Sequence, residues 1–116
     1  MTTLKECENG FKYLEIQNTQ AEAKIALQGA HVFHYQAKDK SALLWLSEKA
    51  FFETNKAIRG GVPICFPWFG KNKHDATLPQ HGFARTAQWS VVLQEELDEG
   101  TTHIQLQLIQ NKESLK

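Results

Sequence analysis

The 116-residue sequence predicts an all-β fold, an antiparallel β-sandwich. Three observations carry that expectation. Apolar residues recur at every second position in several short runs, the pattern of a half-buried strand. A polar stretch ending in glycine separates two of these runs at hairpin spacing. Apart from one short segment, nothing sustains the 3.6-residue period of a helix.

The elements follow in order. Residues 11–16, FKYLEI, read as a strand. In 21–28, Ala21, Ala23, Ile25 and Leu27 alternate with Glu22, Lys24, Ala26 and Gln28, which predicts a strand with one buried face. Gly29-Ala30 is a turn, and 32–35 is the next strand. Leu43-Leu44-Trp45-Leu46 is an apolar run of strand length, and 47–55 is the one candidate helical turn, with Ser47 as its cap. Residues 89–93 and 104–108 alternate again, and the acidic stretch 95–100 between them predicts a solvated hairpin tip. His31 and His34, three apart on a strand, are expected on opposite faces, which argues against a shared metal. His74 and His103 read as exposed. No repeat or linker divides the chain, so residues 1–116 are expected to form one domain or part of one.

Composition narrows the function classes. Thirteen basic residues balance thirteen acidic ones, so no basic stripe points to nucleic acid and no polybasic end points to a membrane. The first residues, MTTLKE, lack the apolar core of a signal peptide. Cys7 and Cys65 are too few and too far apart for a disulfide framework or a zinc site. Cys65, in the apolar run 62–66, is expected to be a buried thiol, and a reducing cytoplasm is the expected compartment.

The chemistry concentrates in residues 57–86, AIRGGVPICFPWFGKNKHDATLPQHGFART. This segment holds all three prolines, four of the seven glycines and both arginines, Arg59 and Arg85, of a chain whose other basic residues are lysine. Proline removes backbone donors and glycine permits close approach, so the segment is an irregular loop on a β scaffold, where binding residues gather. A guanidinium presents a planar fork matched to two oxygens of a phosphate or carboxylate, and two forks suit a dianion. Gln80 and His81 add polar groups, while Trp68 and Phe83 are candidate faces for a sugar ring. Chemistry alone leaves a second reading open, and it is the commoner situation: both arginines pairing with carboxylates across the sheet. No nucleotide-binding loop, nucleophile elbow or zinc-protease motif occurs.

The blocks IRGGVPICFPWFG and LPQHGFAR, in this order and spacing, resemble the hexose-6-phosphate mutarotases, the glucose-6-phosphate 1-epimerase branch of the aldose 1-epimerase superfamily. QGAHVFHY and LLWLSEKAFFETNKAIRGG support the resemblance, which covers roughly residues 25–93. It implies a galactose-mutarotase-type sandwich and interconversion of the α and β anomers of a hexose 6-phosphate, with no metal or organic cofactor. It places Arg59, Gln80 and Arg85 at substrate-binding positions, the arginines on the phosphate, and His81 in the sugar pocket. The sequence departs from the family in length. Members are more than twice as long, and their acid, a histidine in a later His-Thr-Tyr-Phe type of motif, has no counterpart here. The later glutamate base and an intervening substrate-binding aspartate are likewise absent, so no catalytic residue is assigned. The chain therefore reads as the N-terminal part of a mutarotase, expected to grip substrate without turning it over and to self-associate through exposed strand edges. The alternatives are a non-catalytic sugar or phosphosugar binding module and a plain β-sandwich interaction domain.

Overall fold

The computed structural model describes residues 1–44, 58, 60–66, 68–70, 74, 77, 82–97 and 100–108. Six strands are formed among them: β1 (Thr2–Glu6), β2 (Lys12–Gln17), β3 (Ala21–Ala26), β4 (His31–Ala37), β5 (Trp89–Leu97) and β6 (Thr101–Leu108). β1 to β4 make a four-stranded antiparallel meander in chain order, and β5 and β6 make a separate hairpin.

The alternation sorts side chains onto two faces. Leu14 pairs with Ile25, and Ile16 with Ala23, which sets Leu14, Ile16 and Ile25 on one face. Tyr13 pairs with Ala26 on the other, where Phe11, Ala26, Phe33 and Ile58 form a buried cluster flanked by Cys7 and Tyr13. The Tyr13 and Phe33 rings meet edge to face at 5.6 Å. On β6, half-buried Thr102, Ile104, Leu106 and Leu108 alternate with exposed Thr101, His103, Gln105 and Gln107, so the hairpin has one inner face.

Hydrogen bonds at both ends tie the hairpin to the meander. At its tip, the Asn18 amide donates to Thr102 Oγ1 at 2.9 Å, and the N-terminal ammonium lies 3.3 Å from Glu96. At its base, Trp89 N–H donates to Leu27 O at 2.9 Å and Gly29 N–H to Ala87 O at 2.7 Å.

Several expectations need correction. The acidic stretch is not all loop: Glu95, Glu96 and Leu97 continue β5, because Thr101 to His103 pair with them. β1 is an additional strand. Leu43 and Leu44 are not in a strand, and the candidate helical turn at 47–55 lies outside the described residues. His31 and His34 share a face: they pair with Ala26 and Lys24, two apart on β3, because the register shifts at Phe33. Each imidazole has its own partner, Gly60 O for His31 and Glu22 for His34. His103 is exposed beside Glu95, and Cys65 is half-buried rather than buried.

Candidate functional site

The irregular segment is anchored to the sheet at two places, one near each arginine in sequence. The first begins at Ile58, which is buried in the core cluster. Val62 N–H donates to Val32 O at 2.8 Å, bridging the segment to β4. Gly61, at φ +69, lies so close to β4 that an added Cβ would stand 2.9 Å from His31 Nε2 and Phe33 Cα, and closer still to Val32 O. Only glycine meets both demands. His31 is 1% exposed, and its Nε2 lies 2.6 Å from Gly60 O. A carbonyl only accepts, so Nε2 carries the proton and donates.

The second anchor is the turn at 83–87. Thr86 N–H and Ala87 N–H both donate to Phe83 O, at 3.2 and 3.0 Å. Ala84 N–H donates to Phe66 O at 3.1 Å, and the Trp89 indole N–H donates to Ala84 O at 3.0 Å. Gly29, at φ +79, abuts this turn: an added Cβ would lie 2.9 Å from Arg85 C and Cα, and closer to Arg85 O. Arg85 is half-buried on this rigid support, and among the described residues none of the ion pairs involves it.

Electrostatics ties the anchors together. Burial pushes the His31 imidazole below its ordinary value of 6.5, the bond to Gly60 O works against that, and the positive charge of Arg85 adds to the depression. His31 is therefore a neutral imidazole at neutral pH, and it sits within electrostatic reach of a guanidinium. Among the described residues, no group of three or more His, Cys, Asp or Glu is arranged to share a metal ion.

Of the residues named from sequence, Arg85 stands on the second anchor, while Arg59, Gln80 and His81 lie outside the described residues. Trp68 is half-buried. Phe83 is 7% exposed, with its ring edge-to-face with that of Phe66 at 6.2 Å. Phe66 is the ring left 52% exposed. Sequence reasoning passed over His31 and Gln28, both buried polar side chains at the corner between β3 and β4. The signal available was their setting in QGAH, beside a glycine and before an apolar run.

The pattern of the aldose 1-epimerase family matches residues 12–114. The chain belongs to that family. A Salmonella typhimurium protein named "Putative glucose-6-phosphate 1-epimerase" is 44% identical over 85 residues, covering 73% of this chain and 29% of the relative. An Escherichia coli protein of the same name is 39% identical over 101 residues, 87% of this chain and 34% of the relative. A crystal structure described as a "putative mutarotase" from Salmonella typhimurium superimposes with a TM-score of 0.88 at 34% identity, covering 97% of this chain and 37% of that one. The chain thus spans about a third of the length of the curated relatives it matches. Its all-β antiparallel fold is of the mutarotase type. No helix among the described residues is long and apolar enough to cross a membrane.

Proposed function

We propose that this chain is the phosphate-gripping, N-terminal part of a single mutarotase-like sandwich domain acting on a hexose 6-phosphate, as a glucose-6-phosphate 1-epimerase. The observation that carries the reading is Arg85: a half-buried guanidinium on a rigid turn, with no counter-ion among the described residues. A guanidinium held on such a turn presents a planar fork that fits two oxygens of an incoming phosphate. In this reading Arg59 is the second fork on the phosphate, Gln80 and His81 contact the sugar, and Trp68 offers it an apolar face. The reaction needs a base on the C1 hydroxyl and an acid on the ring oxygen; the ring opens, the aldehyde end rotates, and closure on the other face yields the other anomer. These 116 residues carry neither of the family's acid and base motifs, so the chain binds without accelerating that exchange.

Calorimetry with glucose 6-phosphate and with glucose tests the assignment. Each guanidinium contributes charge-assisted bonds, so Arg59→Ala and Arg85→Ala should each weaken phosphosugar binding roughly ten- to a hundred-fold and leave the weak binding of glucose unchanged. Equal affinity for the two sugars in the unmutated chain would sink the reading. A coupled assay of anomer exchange separates the two readings: no acceleration by this chain with activity in a version extended to full length fits the enzyme part, whereas binding with no activity in either favours the binding module. The self-association proposal rests on exposed apolar side chains such as Leu4 (56%), Val92 (47%) and Leu97 (47%) on the strands. Light scattering that finds a monodisperse monomer at high concentration overturns it.

A further inference from the structure

The two arginines are 26 positions apart in sequence, yet the segments following one and bearing the other lean on the same four residues. Gly29 receives the backbone of Arg85, with its own N–H donating to Ala87 O at 2.7 Å. His31 holds Gly60, the chain neighbour of Arg59, through Nε2–H to the carbonyl at 2.6 Å. Gln28, 2% exposed, forms an antiparallel bridge with Gln88 just beyond the Arg85 turn. Ala30 completes the corner at φ +46, a left-handed conformation uncommon for a residue with a side chain. One tight corner between β3 and β4 is thus the common support of both arms.

We propose that this corner, residues 28–31, is the alignment device of the anion site, with His31 as its positioning residue. The imidazole touches no substrate. It holds the Gly60 carbonyl, while Gly29 receives the backbone that carries Arg85, so both backbone segments are held by one short piece of chain. Any side chain at 31 that cannot donate to Gly60 O would release the first arm and leave the second in place. The ligand, a phosphate-bearing sugar, comes from the function proposed above; the architecture of the corner does not depend on it.

The experiment compares the unmutated chain with His31→Phe, which fills the space without a donor, and His31→Gln, whose amide can donate to the same carbonyl. Three readouts are taken: amide exchange by NMR, the imidazole nitrogen spectrum of the unmutated chain, and calorimetry with inorganic phosphate and glucose 6-phosphate. The expected results are a proton on Nε2 of His31 at neutral pH, and a loss of protection at Val62 in His31→Phe of about tenfold, the effect of one hydrogen bond. Amides of β1 and β2 should keep their protection. Affinity for both anions should fall by a similar factor in His31→Phe and return in His31→Gln. A proton on Nδ1, unchanged exchange at Val62, or anion affinity indifferent to both substitutions where the unmutated chain binds would each overturn the proposal. If the unmutated chain binds neither phosphate nor glucose 6-phosphate, the phosphate reading of the site fails, and the tautomer and exchange readouts still decide the role of His31. Should His31→Phe not fold, His31→Gln and the tautomer carry the decision.

Discussion

Gly29→Ala is the sharpest probe of how the Arg85 turn is held. A residue with a Cβ in the left-handed region costs roughly 1–2 kcal/mol on backbone grounds alone. Gly10 provides the control: its φ is +88, and an added Cβ meets nothing within 4 Å, so Gly10→Ala should show that backbone cost and little more. At Gly29 the new Cβ would stand 2.9 Å from two backbone atoms of Arg85, where ordinary contact begins at 3.4 Å. The 83–87 turn must therefore withdraw by about half an ångström or more. Gly29 N–H to Ala87 O and Trp89 N–H to Leu27 O span that junction. Losing both adds about 1–3 kcal/mol, since each is worth about 0.5–1.5.

Gly29→Ala should then cost about 2–5 kcal/mol against about 1–2 for Gly10→Ala. Both substitutions lower unfolded-chain entropy alike, so that gain cancels in the comparison. Urea denaturation reads the difference directly. With a slope of roughly 2 kcal/mol per molar, the Gly29→Ala midpoint should fall about 1 M below that of Gly10→Ala. Equal midpoints would refute the claim that the corner and the Arg85 turn are in rigid contact.

Other consequences are open to simpler measurements. Leu14→Ala, at a site 1% exposed, should lower unfolding free energy by about 2–5 kcal/mol, whereas Leu4→Ala, at 56% exposure on edge strand β1, should change it by at most about 0.5. His31 has a folded-state pKa below its ordinary 6.5, so the unfolded chain takes up its proton first as pH falls. Its stabilising contribution is present above about 6.5 and is lost as pH falls through that value towards the lowered folded pKa, so urea midpoints should drop there, and less so in His31→Gln. Glu96 is held below its ordinary 4.5, first by the Thr102 hydroxyl, then, against the opposing effect of desolvation, by the N-terminal ammonium and Thr2. Its contribution is present above 4.5 and lost as pH falls through the lowered value, so Glu96→Gln should flatten the acid limb of a plot of Tm against pH.

What the sequence made legible depended on whether a contact was local. β2, β3 and the hairpin announced themselves because their alternation coincides with one buried face. β1 did not, since TTLKE has a single large apolar residue, Leu4, and that side chain is exposed; the strand exists because β2 supplies its hydrogen-bond partners. Glu95 and Glu96 looked like a loop because their charge suggests solvent, which a hairpin's strands can also meet. The shared face of His31 and His34 was hidden by a one-residue register shift, which reverses every parity argument beyond it. In the site, the arginines stood out by type and neighbourhood. His31 did not, because its role comes from a carbonyl 29 residues away.

The separation of charge from support explains why the corner is built from neutral groups. An anion site gains from guanidinium forks whose spacing is fixed before the ligand arrives, since ordering them on binding would be subtracted from affinity. A lysine or a charged histidine placed behind Arg85 would fix the backbone as well, but it would add a like charge at close range, in a setting too buried for water to screen it. Burial keeps the imidazole uncharged while leaving its N–H free to bind Gly60 O. Glycine completes the corner by letting two backbones touch where a side chain would hold them apart. In the proposed site the positive charge is thereby left to guanidinium groups, and the support of the Arg85 turn to residues that carry none.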